Sequence, residues 1–287
     1  MKQEYIPLFS GIELRYLSIT DQHFPFPQKQ SSQHTIIINY CRNGRIGWKT
    51  EHGNYIYLGA GDFSIHTQKF CISSEISLPT GHYEGLSIYI DLEKFTSSPP
   101  DLLSDTGITG NSLHEKLCKN DTFLPFTGNV QTDAIFDFFF DQPKYAQFAY
   151  QKIKVLELLI YLYNEETLSQ QHITKYQSAQ IEVVRRIHEY LLQNLNQRVT
   201  IEELSKQFLM NPTTMKTLFK SVYGTSIAAH MKEHRMRKAA DLLLESELSI
   251  AEIALAVGYD SQSKFSTAFK EFFHMLPKEY RKFYLLH

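Results

Sequence analysis

The sequence predicts an α+β protein of two domains, with a β-barrel and helices first and an all-helical double helix-turn-helix half second. Three observations support this prediction. Short apolar strands with glycine turns fill the first third of the 287-residue chain, a polar Ser/Gln/Thr-rich segment follows the middle, and one helical pattern occurs twice near the end. The length also exceeds that of the usual single core. We therefore predict domains at 1–165 and 181–287, joined by a linker at 166–180.

The repeated pattern consists of a capped short helix, a turn and a second helix. Thr200 with Glu203, and Ser249 with Glu252, form two capping boxes, in which a hydroxyl and a later carboxylate satisfy each other's backbone N–H groups. Each box opens an apolar-periodic helix, and the second helix that follows ends in Phe-Lys. This order predicts a helix-turn-helix unit, whose second helix can lie in a DNA major groove. Two such units before Arg281 indicate DNA binding more strongly than one.

The second helix of each unit has an apolar face and a polar face. The apolar faces comprise Met215, Leu218, Phe219 and Val222 in the first unit, and Phe265, Phe269, Phe272 and Phe273 in the second. The polar faces carry the residues expected to meet DNA: Thr213, Lys216, Thr217, Lys220, Gln262, Ser263, Lys264, Ser266, Thr267 and Lys270. None of these is acidic, which suits contact with base edges and phosphates. A merely solvated helix face is the alternative, and the duplication argues against it.

These residues resemble the signature of the AraC/XylS family of transcription regulators. The matching stretches are Arg235–Leu244, Ile250–Lys270 and Pro277–Arg281. Family members have a C-terminal domain with two helix-turn-helix units joined by a long helix. The sequence departs from the family pattern at His274, where glycine is common, and at Leu276, where a small hydroxyl residue is common.

The resemblance implies that one subunit contacts two successive major grooves on one side of the duplex. The residues that would face bases are Thr213, Lys216, Thr217, Gln262, Ser263, Ser266 and Thr267. Gln262 is the best candidate for a specific contact, because glutamine can bind adenine in a bidentate way. Lys220, Lys264 and Lys270 are assigned to phosphates.

Residues 11–90 predict a small β-barrel or sandwich made of short strands. Asn43-Gly44 is a strong hairpin signal and is predicted to turn the chain between strands at Thr35–Cys41 and Arg45–Lys49. Tyr83–Ile90 alternates between apolar and polar positions, as a half-buried strand does. The set of strands resembles the cupin-type effector domain that many AraC relatives carry at the N-terminus.

Aromatic residues in the barrel provide a candidate effector pocket, which comprises Tyr40, Trp48, Tyr55, Tyr57 and Tyr89. Tyrosine and tryptophan combine an apolar body with a polar tip, which suits a ligand pocket in a small barrel. Ordinary core and cross-strand packing is the alternative. Metal-binding cupins often carry a His-x-His pair. The sequence has none, and His66 and His82 are isolated, so we expect neither a metal site nor a cofactor.

Two helical patterns follow the strands, over Gln131–Phe140 and Ala146–Asn164. The second has an apolar stripe, including Ile153 and Ile160, that is wider than a lone surface helix needs. In AraC relatives a helix at this place pairs two subunits, so a homodimer is expected. Packing on the barrel's own surface is the alternative.

Charge alone does not indicate a DNA-binding protein. The formal net charge of −2 combines 15 basic against 12 acidic residues from Tyr176 onward with 14 against 19 in the rest. The sequence has no run of 18 or more apolar residues and no signal-peptide pattern at the start. Its three cysteines are widely spaced, which fits reduced thiols. We therefore expect a cytoplasmic protein without a membrane partner.

Together these features predict a sequence-specific DNA-binding transcription regulator, interpreted as an activator, that a small molecule in the barrel controls. The expected partners are double-stranded DNA, a small-molecule effector, RNA polymerase and a second copy of the chain. A constitutive regulator whose barrel only dimerises stays open as an alternative. A barrel enzyme with an attached DNA-binding domain is a further alternative, but the sequence offers no nucleophile or metal motif for it, and we predict no enzymatic activity.

Overall fold

The fold was determined as a computed structural model that describes residues 2–20, 34–49, 54–67, 75–118, 124–140, 147–165 and 176–285. The chain divides into two compact units, Met1–Ser178 and Ala179–His287. The first unit combines an antiparallel sheet with helices, and the described part of the second is helical. The predicted α+β class is confirmed.

The described strands of the first unit form one antiparallel sheet. They are β1 (Lys2–Phe9), β2 (Ile12–Ile19), β3 (Thr35–Lys49), β4 (Asn54–Gly59), β5 (Phe63–Thr67), β6 (Glu75–Ser77), β7 (Tyr83–Asp91), β8 (Leu124–Phe126) and β9 (Tyr176–Gln177). The main strand order is β1-β2-β7-β3-β4-β9, with β5 pairing β3 and β8, and β6 pairing β3. The first part of β3 pairs with β7 and β5, and its last part pairs with β4 and β6. The long strand β3 therefore joins two halves of the sheet.

The hairpin predicted at Asn43–Gly44 is wrong, because β3 runs straight through it. The register between β3 and β7 shifts between Cys41 and Asn43, which marks a β-bulge. Gly44 has a φ of +78°, and a Cβ there would lie 2.2 Å from the carbonyl oxygen of His82. Asn43-Gly44, which is typical of a tight turn, therefore forms a bulge here. On either side of the bulge, β3 pairs with strands of different halves of the sheet.

The two faces of the sheet contribute to different cores. Leu86, Ile88 and Ile90 of β7 belong to the larger core, which also includes side chains from the helices. On the opposite face, Tyr83 of β7 joins a second cluster with Trp48, and this cluster contains residues from both halves of the sheet. The predicted alternation along β7 is therefore confirmed, and the second cluster defines the interior face of the sheet, whereas closure into a barrel stays a prediction.

Helices cover the outer face of the sheet in the first unit. They are α1 (Leu92–Ser97), α2 (Gly110–Leu117), α3 (Val130–Asp137) and α4 (Gln147–Asn164), with a short 3-10 helix at Asp101–Leu103. Helix α4 buries Val155, Leu158 and Leu159 in the larger core. Its side chains of Ile153 and Ile160 are 54% and 40% exposed. Thus one part of the predicted apolar stripe packs on the unit itself, and the other part is open to solvent.

The end of the predicted linker needs correction. Tyr176–Gln177 forms strand β9 and pairs with Asn54 and Tyr55 of β4. Backbone N–H and C=O groups can complete a ladder whatever side chains they carry, so a polar composition did not reveal this strand. The next helix begins at Ser178 and not at the predicted position 181. Residues 166–175 lie outside the described part of the chain.

The second unit consists of helices α5 (Ser178–Gln193), α6 (Ile201–Phe208), α7 (Pro212–Tyr223), α8 (Ile227–Glu245), α9 (Ile250–Ala256), α10 (Gln262–Phe273) and α11 (Pro277–Leu285). Helices α6–α7 and α9–α10 form the two predicted helix-turn-helix units. Both capping boxes are present, with Thr200 N–H donating to Glu203 at 2.7 Å and Ser249 N–H donating to Glu252 at 2.8 Å. Within the described ranges, no helix has both the length and the apolar composition needed to cross a membrane.

Helices α7 and α10 end in the same backbone conformation. Gly224 caps α7 with a φ of +81°, and His274 caps α10 with a φ of +58°. Each residue's N–H donates to the carbonyl of a lysine four residues earlier, Lys220 and Lys270 respectively. A left-handed residue at this place ordinarily is glycine, because a side chain crowds the backbone there. The departure at His274 therefore changes the residue but keeps the geometry.

We expect His274→Gly to raise the free energy of unfolding of the second unit by about 0.5–1 kcal/mol, because it removes left-handed strain at a modest entropic cost. Gly224→Ala introduces the same strain in the first helix-turn-helix unit and should lower stability by about 1 kcal/mol. Urea titrations of the full chain, followed by the helical circular-dichroism signal, measure both changes. A loss of stability in His274→Gly would contradict this account of the cap.

Candidate nucleic-acid interface and barrel interior

Side-chain caps begin the second helix of each helix-turn-helix unit. Asn211 Oδ1 accepts hydrogen bonds from the N–H groups of Thr213 at 2.9 Å and Thr214 at 3.5 Å. In the second helix-turn-helix unit, Ser261 Oγ accepts a hydrogen bond from Lys264 N–H at 3.4 Å. Asp260 and Ser261 could both cap this helix by residue type, and Ser261 is the one that does so. Both caps fix the start of a helix and thus the direction in which its polar side chains point.

The polar faces of α7 and α10 are open to solvent, as their periodicity predicts. Of the predicted DNA-contacting residues, Ser266 is half-buried and the following are exposed: Thr213, Lys216, Thr217, Lys220, Gln262, Ser263, Lys264, Thr267 and Lys270. The opposite face of α7 is buried at Met215, Leu218, Phe219 and Val222, and that of α10 at Phe265 and Phe269. Thr267 Oγ1 already donates to the Ser263 carbonyl at 3.1 Å, so its hydroxyl proton has a partner within the helix.

The electrostatics of these two helices favour an anionic ligand. Helix α7 contains no acidic residue, and the acid of α10 is Glu271. Its carboxylate accepts a hydrogen bond from Lys232 of α8 at 2.8 Å. Coulombic attraction to phosphates is long-ranged and additive, so an acid neutralised within the fold interferes less with the neighbouring lysines.

The five aromatic residues predicted to form an effector pocket lie on different faces of the sheet. Tyr40 packs in the helix-covered core and stacks on Phe136 with ring centroids 4.2 Å apart. Trp48 belongs to the interior cluster, and Tyr89 shares the interior face of β7 with Tyr83. The remaining two, Tyr55 and Tyr57, alternate along β4 with the interior residues Ile56 and Leu58, and so point away from the interior.

The expectation of one pocket lined by all five residues is therefore corrected. Neighbouring side chains on a strand point to opposite faces, and the bulge in β3 changes which positions face inward. Before the bulge Cys41 faces the interior, and after it Ile46 and Trp48 do. Tyr40 and Trp48, although eight positions apart, consequently lie on opposite faces.

A row of polar side chains crosses the interior face and was not predicted from the sequence. Arg15, Ser87, Asn39 and Ser64 occupy directly paired positions on β2, β7, β3 and β5. All four are buried, and Ser87 Oγ donates to Asn39 Oδ1 at 2.6 Å. Within the described residues, the Ser64 hydroxyl has no hydrogen-bond partner. The sequence shows that these positions alternate with apolar residues along each strand. It does not show how the strands pair, and this pairing is what aligns the four side chains.

Arg15 is the charged member of this row. Its Nε donates to the carboxylate of Glu13, and its guanidinium lies over the ring of Tyr89 at 3.7 Å from the centroid. An arginine can remain buried when a carboxylate and an aromatic face compensate for lost hydration. The interior therefore has an apolar end around Trp48 and a polar end around Arg15.

Comparison with known proteins identifies the helical unit. Residues 204–282 match a family model described as a helix-turn-helix domain. The HTH-type transcriptional regulator AlkR of Acinetobacter baylyi is 42% identical over 83 residues, covering 29% of this chain and 27% of that protein. The Transposon Tn10 TetD protein of Escherichia coli is 30% identical over 100 residues, covering 35% of this chain and 72% of that protein. This chain belongs to the AraC/XylS family.

The similarity to other AraC/XylS members is concentrated in the helical unit. A solved structure, the C-terminal domain of AraT, a response regulator from Geobacillus stearothermophilus, is 39% identical and covers 35% of this chain and 84% of that chain, with a TM-score of 0.34. The matched region spans about a third of the length of several of these regulators, 27% of AlkR and 35% of VirF of Yersinia enterocolitica, and a larger share, 72%, of TetD.

Two arginines of the AraC/XylS signature hold the helical unit together. Arg235 of α8 donates to the carbonyls of Leu195 and Gln197 at 2.9 and 2.8 Å. Arg281 of α11 donates to the carbonyls of Leu243 and Leu248 at 3.0 and 2.6 Å. Arg235 thus satisfies two carbonyls in the loop after α5, whereas Arg281 satisfies one in the last turn of α8 and one in the loop after it. The sequence contained these arginines within the motif, but it did not reveal this role.

The two barrel histidines singled out in the sequence lie in different surroundings. His66 is buried on the interior side of β5, and burial lowers its pKa to about 3, which keeps the ring neutral. His82 is exposed, and its Nδ1 lies 3.2 Å from the Thr80 carbonyl oxygen. They therefore remain separate structural residues in this AraC/XylS member.

Proposed function

We propose that this protein is a sequence-specific DNA-binding transcription regulator, and that it acts as an activator. One observation carries the proposal: two capped helices, α7 and α10, expose lysines and short polar side chains from two packed helix-turn-helix units. Membership of the AraC/XylS family supports it independently. The family assignment also favours regulation over the enzyme alternative, which requires a reaction centre in the barrel.

The shared helix α8 supports simultaneous reading of two grooves. It has 19 residues and so a length of about 28 Å at 1.5 Å per residue. With a recognition helix packed near each end, this length approaches the roughly 34 Å between successive major grooves on one side of a duplex. One chain would then contact one side of the DNA.

The polar residues of the two helices divide into two proposed roles. Thr213, Lys216 and Thr217 of α7, with Gln262, Ser263, Ser266 and Thr267 of α10, would face bases. Lys220, Lys264 and Lys270 would contact phosphates. Only contacts to base edges carry direct sequence information, whereas phosphate contacts set position and overall affinity.

We expect Gln262→Ala to reduce discrimination between the target and a scrambled duplex by about 1–3 kcal/mol, because a bidentate contact to adenine is lost. Lys220→Ala should instead weaken binding to both duplexes and lower the slope of log affinity against log salt by about 1. Fluorescence anisotropy of the full chain with labelled DNA from upstream of its own gene, across a salt series, measures both effects.

Lys116→Ala is the matched control for these measurements, because Lys116 is an exposed lysine of the first unit. It should leave affinity, discrimination and salt dependence unchanged. Equal binding of wild type to target and scrambled DNA, unaffected by Gln262→Ala, would refute sequence-specific reading by α10. Transcription in vitro from the same promoter with RNA polymerase distinguishes activation, as proposed, from repression.

The exposed strip of α4 supports a homodimer as the DNA-binding form. Ile153 and Ile160 lie seven residues apart, on one side of the helix, and both are exposed while their neighbours fill the core. Burial of such side chains against a second copy removes apolar surface from water. We therefore place the subunit contact on this strip.

Ile153→Glu combined with Ile160→Glu should weaken the dimer by about tenfold or more, because two charges would have to be buried without partners. Sedimentation velocity over a concentration series measures the dissociation constant. Val130→Glu is the matched control, since Val130 is an apolar residue on α3 that is 87% exposed. A dimer that persists unchanged in the double variant would exclude this helix as the interface.

We also propose that a small molecule binds in the barrel interior and controls DNA affinity. The polar row around Arg15 offers charged and hydroxyl groups, and the cluster around Trp48 offers an apolar wall. Close packing of Trp48 with Tyr83 and Cys41 supports the alternative, in which the barrel only dimerises and regulation is constitutive. The two hypotheses make opposite predictions for how an added small molecule affects DNA affinity.

If the interior binds an effector, a screen of small metabolites should identify a compound that changes the fluorescence of Trp48, which is the chain's single tryptophan. Arg15→Gln should weaken binding of that compound, because the charged group of the polar row is lost. The same compound should change DNA affinity in the anisotropy assay. A compound that binds without altering DNA affinity, or no binder at all, would favour the constitutive regulator.

A further inference from the structure

Three histidines that were not singled out in the sequence converge in the helical unit. His188 lies on α5, and His230 and His234 lie one turn apart on α8. One ring nitrogen of each lies within 4.8 Å of those of the other two. The Nε2 atoms of His230 and His234 are 3.1 Å apart. Residues four apart share a helix face, so the helix itself holds two of the rings together.

Packing fixes the orientation of the three rings. His188 stacks on Tyr223 with centroids 4.3 Å apart, and His230 meets the edge of Phe219 at 5.4 Å. The Nε2 of His188 is buried and has no hydrogen-bond partner among the described residues. A buried polar atom without a partner is uncommon in native proteins and calls for an explanation. A bound metal ion that accepts the lone pair of this His188 nitrogen would provide such an explanation.

The surroundings keep the imidazoles in the form that binds metals. Burial, followed by the neighbouring histidines, lowers the pKa of His188 and of His230 to about 4, and burial also lowers the pKa of His234. Neutral imidazole has a free lone pair, as a metal ligand must. Glu233 and Arg237 of the same helix α8 are paired with each other by hydrogen bonds of 2.8 and 3.0 Å.

We propose that His188, His230 and His234 form a binding site for a divalent transition-metal ion of the zinc type. Zn–N bonds of about 2.0–2.1 Å in tetrahedral geometry separate the ligand nitrogens by about 3.3 Å. The His230–His234 distance is already close to this value, and the ring nitrogen of His188, which lies within 4.8 Å of the other two, would have to approach them by at most about 1.5 Å. Three imidazoles without a carboxylate suit zinc, nickel, copper or iron better than magnesium or calcium.

Such an ion would clamp α5 to α8 beside α7. Tyr223 and Phe219, which pack on the histidine rings, belong to α7, whose opposite face carries the proposed DNA contacts. The site also leaves one coordination position for water, as sites with three protein ligands do. Without metal, a hydrogen bond between His230 and His234 accounts for two of the rings but leaves His188 Nε2 unexplained.

The test uses the full chain purified without a polyhistidine tag, stripped with a chelator and then freed of it. Calorimetric titration with Zn²⁺ should show one tight site per chain, and Co²⁺ should give the visible absorption bands of tetrahedral coordination. His188→Gln and His234→Gln should each weaken Zn²⁺ binding by about tenfold or more, since even changes around metal ligands cost that much. Zn²⁺ should also raise the melting temperature of wild type, but not of the variants.

His274→Asn is the matched control, because it removes an exposed histidine of the same unit and asparagine tolerates the left-handed conformation. It should bind Zn²⁺ as wild type does. Circular dichroism establishes that each variant is folded, and the half-exposed His234 provides a readout should His188→Gln fail to fold. Weak binding at several sites, or binding that neither glutamine variant alters, would overturn the proposal whatever the protein does with DNA.

Discussion

The continuous helix α8 is the constraint on which the whole helical unit depends, because both helix-turn-helix units pack against it. Its first half buries Ile227 and Met231, and its second half buries Met236 and Leu243 against the core of α9 and α10. Rise and rotation per residue are fixed in an α-helix. The distance and angle between the two recognition helices therefore follow from the number of residues between the two packed halves.

The helical unit could be predicted almost completely from the sequence because its signals are local. A capping box, an apolar period of 3.6 and a polar opposite face all lie within one helix, so Thr200–Glu203 and Ser249–Glu252 marked both starts. The burial of Phe219 and Phe269 and the exposure of Gln262 follow from the same period. The sequence could not show which groups connect one helix to another. An example is the hydrogen bond from Arg235 to the Leu195 carbonyl, 40 residues earlier.

The barrel shows the opposite case, because the face that a strand residue occupies depends on pairing. Asn43-Gly44 has the composition of a hairpin turn, but β7 and β5 pair with the strand before it, and β4 and β6 with the strand after it. One bulge then reverses the inward-facing positions, so Tyr40 faces the helices and Trp48 the interior. The abundance of aromatic residues in the strands could be seen in the sequence, but the face of the sheet on which each one lies could not.

The histidine cluster depends both on a local spacing in the sequence and on the packing of distant helices. The spacing of His230 and His234 is visible in the sequence and places both on one face of α8, but two imidazoles on a helix have many uses. The third, His188, comes from α5 and is brought into place only when α5 and α8 pack around Tyr223. An ion held there would bind more tightly to the packed arrangement than to any state in which α5 separates from α8, and this difference in affinity stabilises the packed state. The site would thus act on α7 through Tyr223 and Phe219, on the face opposite the proposed DNA contacts.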